Sequence, residues 1–498
     1  MTKKENTLFA SLFIIIIGNA LFLSWNAFRC FNFHDMGSFL DASWRVSNGQ
    51  RPYLDFIYHA GPVHLYLNAF FFKIFSFGKT ALLAHLITVQ SIVISAVFLA
   101  LWRNVSFPIT VLVTLLTGPA FYWPVSHPWH DQSAHLWGIL VTVFLIRQIP
   151  FADKNRAFYS GLFCGVLAVL ALLTKSNIGA AYALTLLIVF SVSGKRRQAL
   201  SGYGLGLLAS LLLSIFIVHS PKEFMEQSLT FSGAANRFSA LLSLPNWFAN
   251  YYWFILGIVA LNAFPYYKKY PELITLFSGI SFVGIFSVMT GAMIQSANIS
   301  LWGIQTALAF ICLSKIKISL APSREKLYRL SLNILTCTTL LLTGLAIKYG
   351  YELKTWTYFQ KNPEGDYVIK TKPLDGWKAP RFQGEPLDNL VKYINENIPA
   401  EASLLNLTDM YIIYALTNRE SYRGIPFVFY SNQLPAEGQQ ARQVHERILI
   451  HPPDWILVNL DSSPVLQNIQ IQEDIQARYL PVFAAGEYFL LEKNHPEK

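Results

Sequence analysis

Three histidines and an aspartate crowd into "HPWHDQSAH": His127, His130, Asp131 and His135. Imidazole and carboxylate at this density can hold a divalent cation. The same side chains can also line a polar cavity, and at this point both readings stand. A second stretch, "NFHDMGSFLDASWRVSNGQRPYLDFIYHAGPVH", carries Asp35, Asp41 and Asp55 together with His34, His59 and His64. Asp35 comes just before a helical pattern, where Asp is a favoured N-cap. A carboxylate so placed can cap the helix and still face a cavity. By itself Asp55 reads as a solvated loop acid, and His59 and His64 read as polar residues at an interface.

The elements around these residues are mostly apolar. The chain of 498 residues is 53% hydrophobic and only 14% charged, with a mean hydropathy of +0.36. Soluble domains carry about 25% charged residues, and a spanning helix needs about 20 mostly apolar ones. Runs of that kind fall at 8–28, 81–101, 107–124, 134–149, 157–174, 177–193, 199–218, 248–265, 272–291, 297–314 and 327–347. The expectation is a polytopic α-helical membrane protein with about 11 transmembrane helices. The first run resembles a signal peptide, but no small-residue cleavage site follows it, so it reads as a retained helix. Lys and Arg concentrate in alternate short loops, which places the N-terminus inside and the acid-bearing loops outside. The net charge of +10 is mostly these basic loops and gives no reason to expect a nucleic-acid partner. The four cysteines lie in or beside apolar runs, with no CxxC pair.

Between the spans, "MGSFLDASWRVS", residues 36–47, reads as an interfacial amphipathic helix. Met36, Phe39, Leu40, Ser43 and Trp44 share one face, and Asp41 and Arg45 lie off it. Gly49 and Pro52 end that helix, and Pro62 opens a second interfacial one, "PVHLYLNAFFFKIF". Another falls within 219–247. From residue 348 the composition turns polar. There "PLDNLVKYINENIPA" reads as a helix and "ASLLNL" and "DWILVNL" read as buried strands. The expected organisation is a transmembrane domain over 1–347 and a small extracytoplasmic, periplasmic α/β domain over 348–498.

The first loop carries a resemblance. Asp35, Gly37, Gly49, Pro52, Tyr53, Asp55, Gly61 and Pro62 occur in the order found in the first external loop of polytopic C-type-fold glycosyltransferases. The resemblance is to the bacterial relatives of protein mannosyltransferases and of lipid A aminoarabinose transferases. It implies a polyprenyl-phosphate sugar donor, used without a nucleotide on the outer face of the cytoplasmic membrane. It implies a glycan, lipid or protein acceptor and inversion at the anomeric carbon. Asp35 would be the general base, with Asp55 the second acid of the site. Two departures stand out. Many relatives have an Asp-Glu pair where this chain has Asp35-Met36, and a Lys where it has Ala60-Gly61. Lys175, in "LLTKSNIG", then becomes the candidate for the donor phosphate, its other reading being a snorkelling anchor. Arg237, in "GAANRFS", is a second candidate. His59, His64, His127, His130 and Asp131 are candidates for substrate or for a divalent metal cofactor. The competing functions are an O-antigen ligase or polymerase, and a lipid or glycan transporter. Ligases favour one large external loop late in the chain. Transporters favour polar or broken helices near mid-membrane, whereas here the spans are clean.

Overall fold

The computed structural model describes residues 3–29, 35–56, 60–123, 126–233, 266–290, 300–317, 366–420, 439–459 and 468–494, with single residues between them. The helices ahead of the tail are α1 (Lys3–Ala27), α2 (Asp35–Ser47), α3 (Val63–Phe75), α4 (Lys79–Leu101), α5 (Phe107–Phe121) and α6 (His130–Gln148). They continue as α7 (Lys154–Leu172), α8 (Ser176–Ser191), α9 (Arg196–Val218), α10 (Pro221–Gly233), α11 (Pro271–Thr290) and α12 (Trp302–Lys317). Two compact units form. One holds Met1–Asn26, Leu86–Ile215 and Ala235–Gln360; the other holds Ala27–His85, Phe216–Ala234 and Lys361–Lys498.

Expected spans fall on α1, α4 to α9, α11 and α12, while those at 248–265 and, but for Cys337, Leu341 and Gly344, at 327–347 lie outside the described residues. Among the described residues, Asn6–Ala27, Lys79–Leu101, Lys154–Leu172 and Arg196–Val218 are long and apolar enough to cross a membrane unaided. The helices α5, α8 and α11 are apolar but shorter. Large apolar side chains such as Phe13, Leu21 and Leu213 stand exposed, as lipid-facing residues do. The chain is a multi-pass membrane protein.

Lipid tails are as apolar as the helices, so helices in a bilayer associate by close packing and not by hydrophobic exclusion. The first unit shows this at α7 and α9. A Cβ on Gly161 would lie 2.1 Å from the Ala199 carbonyl oxygen, and one on Gly206 would lie 2.3 Å from that of Leu162. Gly165 and Gly202 meet facing backbone just as closely, at 2.6 and 2.0 Å. Paired small residues four apart on both helices thus let the backbones touch. Gly138 on α6 likewise leaves room for the Tyr182 ring of α8, where a Cβ would be 1.9 Å from it.

In the second unit the tail contributes a helix α13 (Arg381–Asn397), a short α14 (Ile413–Thr417), α15 (Gln439–Ile450) and α16 (Ile469–Arg478). Its strands are β1 (Tyr367–Val368), β2 (Lys378–Ala379), β3 (Leu404–Leu407), β4 (Trp455–Asn459), β5 (Tyr479–Ala485) and β6 (Tyr488–Lys493). The main sheet has the order β3-β4-β6-β5, with β3 and β4 parallel and the other neighbours antiparallel. Every residue of β3 and β4 is buried, which is why both are largely apolar, with Asn406 and Asn459 the polar exceptions. Along α13, Leu387, Leu390, Val391 and Ile394 are buried, the spacing of one helix face. The β5–β6 hairpin turns at Gly486, whose φ of 60° favours glycine. The chain leaving α1 joins the same unit, with Phe31 N donating to Lys378 O at 2.7 Å.

Candidate functional site

Asp35 is the first residue of α2, at the helix start that its type favours. The next ten residues, Met36 to Arg45, are all buried. This corrects the expectation of a helix with one buried face and with Asp41 and Arg45 off it. The reason is tertiary: α3 packs against α2, and so does α14 from the tail. Arg45 Nε donates to Asp41 Oδ2 at 2.6 Å, one turn earlier. The Arg45 guanidinium lies 5.5 Å from the centre of the Phe56 ring and 5.2 Å from that of Tyr414, within cation–π range. Burial raises the Asp41 carboxyl to about 6, against the pull of the Arg45 charge.

Beyond α2 the loop folds on itself. Asp55 is half-buried and accepts from Arg51 N at 2.7 Å and from Arg51 Nε at 3.2 Å, closing the turn between them. Tyr53 takes a left-handed backbone, φ 70°, unusual for a residue with a Cβ. Its hydroxyl donates to Ala60 O at 2.5 Å, and its ring meets Phe224 of α10 edge-on at 5.2 Å. Gln227 of α10 clamps the same loop: its Oε1 accepts from Tyr58 N at 2.9 Å and its Nε2 donates to Tyr53 O at 3.3 Å. His64 is fully buried, with Nε2 2.6 Å from Tyr58 Oη and Nδ1 3.0 Å from Gly61 O. Both its ring nitrogens are thus engaged by the loop. His59 lies outside the described residues.

In the other unit, Lys175 ends the turn between α7 and α8 and has extended backbone at φ −150°. Its ammonium binds the Asp131 carboxylate in the first turn of α6. An acid there also complements the positive end of the helix dipole. Both side chains are mostly buried, 16% exposed for Lys175 and 10% for Asp131. Trp137 Nε1 donates to Thr174 Oγ1 at 3.1 Å, which holds that turn against α6. His130 Nε2 is 3.3 Å from the Asp131 oxygen that Lys175 contacts. The buried His127 ring packs edge-on against Trp129 at 4.6 Å. His135 Nδ1 is 3.2 Å from Tyr182 Oη. Arg237 lies outside the described residues.

Of the candidates, Asp131, Lys175 and His130 are brought together, His127 packs on Trp129, and among the described residues no three His, Cys, Asp or Glu side chains converge as metal ligands. Sequence reasoning set Asp41 and Arg45 off the apolar face of the helix, and it gave no weight to Gln227 or Tyr414. The only available trace was an i, i+4 Asp–Arg spacing, which is far commoner on solvated faces.

No family model matches the sequence, and no curated protein matches it. Solved structures do. ArnT from Cupriavidus metallidurans, bound to undecaprenyl phosphate, superposes with a TM-score of 0.58 at 11% identity, over 96% of this chain and 97% of that one. The Archaeoglobus fulgidus oligosaccharyltransferase tethered to an acceptor peptide gives 0.53 at 10% identity, over 99% and 74%. The same enzyme in complex with Zn and sulfate gives 0.53 at 12% identity, over 91% and 68%. At this identity the likeness is one of architecture: the chain has the polytopic C-type glycosyltransferase fold.

Proposed function

We propose that the chain is a membrane glycosyltransferase that moves a monosaccharide, hexosyl or pentosyl, from a polyprenyl-phosphate carrier to an acceptor on the outer face of the cytoplasmic membrane. The observation that supports this best is Lys175. It is a lysine largely withdrawn from solvent at a helix N-terminus, in a chain with the fold of a protein crystallised on undecaprenyl phosphate. An ammonium so placed suits a phosphate, and the Asp131 carboxylate is the anion it holds meanwhile. In the reaction, the acceptor oxygen attacks the anomeric carbon and the Asp35 carboxylate takes its proton. The bond from that carbon to the phosphate oxygen breaks, and polyprenyl phosphate leaves with the electron pair. A single displacement inverts the anomeric centre. The acceptor is a glycan, lipid or protein hydroxyl.

The test is Asp35→Asn. Asn caps a helix as well as Asp does but takes no proton, and removing a general base costs about 10²–10⁴-fold in rate. The assay is transfer by purified protein from a panel of synthetic polyprenyl-phosphate monosaccharides to envelope glycan, glycolipid and protein fractions. Undiminished turnover by Asp35→Asn would leave the residue with the capping role alone.

A further inference from the structure

The Asp41–Arg45 pair is hard to explain as a stabilising element. Both residues are nearly or fully buried, at 0% and 6% exposure. Among the described residues the second Asp41 oxygen, Oδ1, is buried with no hydrogen-bond partner. Burying such a pair is often no better for stability than apolar residues of the same volume. What the pair does have is a location. It lies in the helix that Asp35 opens, six and ten residues further along, or about 9 and 15 Å of helix. It faces the tail through Tyr414, whose ring stacks on the Arg45 guanidinium. Tyr414 is itself tied to the tail sheet: its hydroxyl donates to Leu404 O at 3.0 Å and accepts from Asn406 N at 2.8 Å, both on β3. Gly37, two residues into the helix, would carry a Cβ in contact with the Tyr411 ring at 4.0 Å. Two points of the helix thus rest on one tail segment.

We propose that Asp41, Arg45 and Tyr414 are positioning residues through which the tail sheet fixes the helix led by Asp35, so that the tail is part of the transfer machinery. The functional half of this rests on the reading of Asp35 given above. A guanidinium held by a carboxylate on one side and aromatic faces on the others has a defined orientation, which a purely apolar contact does not impose. Among the described residues, the charged and titratable neighbours of Asp41 are Arg45, on its own helix, and Tyr414, from the tail.

The experiment uses the full chain in lipid nanodiscs. Backbone hydrogen exchange is read over residues 36–47, and steady-state transfer is measured from a panel of synthetic polyprenyl-phosphate monosaccharides. In Arg45→Met and Tyr414→Leu, exchange over 36–47 rises about tenfold or more while α7 is unchanged. The kcat falls about 10–100-fold, with the donor KM within about twofold, as expected for misplacement of a catalytic group. The double variant Asp41→Leu/Arg45→Met removes both charges and keeps apolar volume, so it folds even where a single variant does not. It shows the same loss of kcat. Wild-type exchange and wild-type kcat in the double variant would overturn the proposal, since the pair would then be packing alone. Faster exchange in a protein whose Asp35→Asn form is fully active would remove the role of Asp35 and leave the coupling of helix to tail intact. Unchanged exchange would remove the coupling itself.

Discussion

The Lys175–Asp131 pair separates a structural role from a ligand role, because two opposite substitutions act alike on one and oppositely on the other. The pair is mostly buried, where an effective dielectric of about 20 gives roughly 4 kcal/mol between charges about 4 Å apart. Breaking a buried pair from either side costs about 3–5 kcal/mol, and the partial exposure here puts the expected loss near the lower figure. Lys175→Gln and Asp131→Asn should therefore lower stability by similar amounts. Donor binding should diverge. Lys175→Gln removes a charge-assisted contact worth about 1.5–3 kcal/mol, a loss of roughly 10–150-fold in affinity. Asp131→Asn removes the competing carboxylate, so affinity for a phosphate rises. The assay is equilibrium binding of radiolabelled undecaprenyl phosphate to purified protein, paired with thermal unfolding of the same samples. Equal weakening of binding in both variants would refute the reasoning and leave Lys175 as a structural partner of α6.

Three further outcomes are expected. Gly206→Val should force α7 and α9 apart, since even its Cβ meets the Leu162 carbonyl oxygen at 2.3 Å; the cost is about 1–3 kcal/mol. Gly204→Ala, with nothing within 4 Å, should be neutral or stabilising, and thermal unfolding in detergent compares the two. Asp41 gives an unusual pH dependence. Its folded value of about 6 lies above the ordinary 3.8, so its contribution is most favourable below pH 3.8 and is lost as pH rises through 6. The span is worth about 3 kcal/mol, and Asp41→Asn should flatten that part of the unfolding curve; an unchanged slope would count against the burial of this carboxyl. Finally, residues 366–494 should be cleaved by protease added outside intact spheroplasts, and cleavage only in inverted vesicles would reverse the orientation.

Hydropathy and period alone determined where the helices α1, α4 to α9, α11 and α12 run, because a segment's own composition decides whether it is stable in lipid. They also determined β3, β4 and α13, whose burial patterns are local and regular. The hairpin β5–β6 escaped notice because β5 is largely exposed and carries a proline at 481, so its sequence does not alternate as a strand buried on one face does. The acids of the first loop were legible as a cluster, and a helix beginning beside Asp35 was legible from the helical spacing that follows it. What surrounds them was not. Lys175 and Asp131 are 44 residues apart, and a pairing at that distance leaves no periodic trace. In α2 the sequence pattern pointed to the wrong environment for Asp41 and Arg45. Amphipathic spacing tells how one face of a helix is buried. It cannot tell that a tail more than 300 residues later covers the other face, where Arg45 pairs with Asp41 and lies against two aromatic rings.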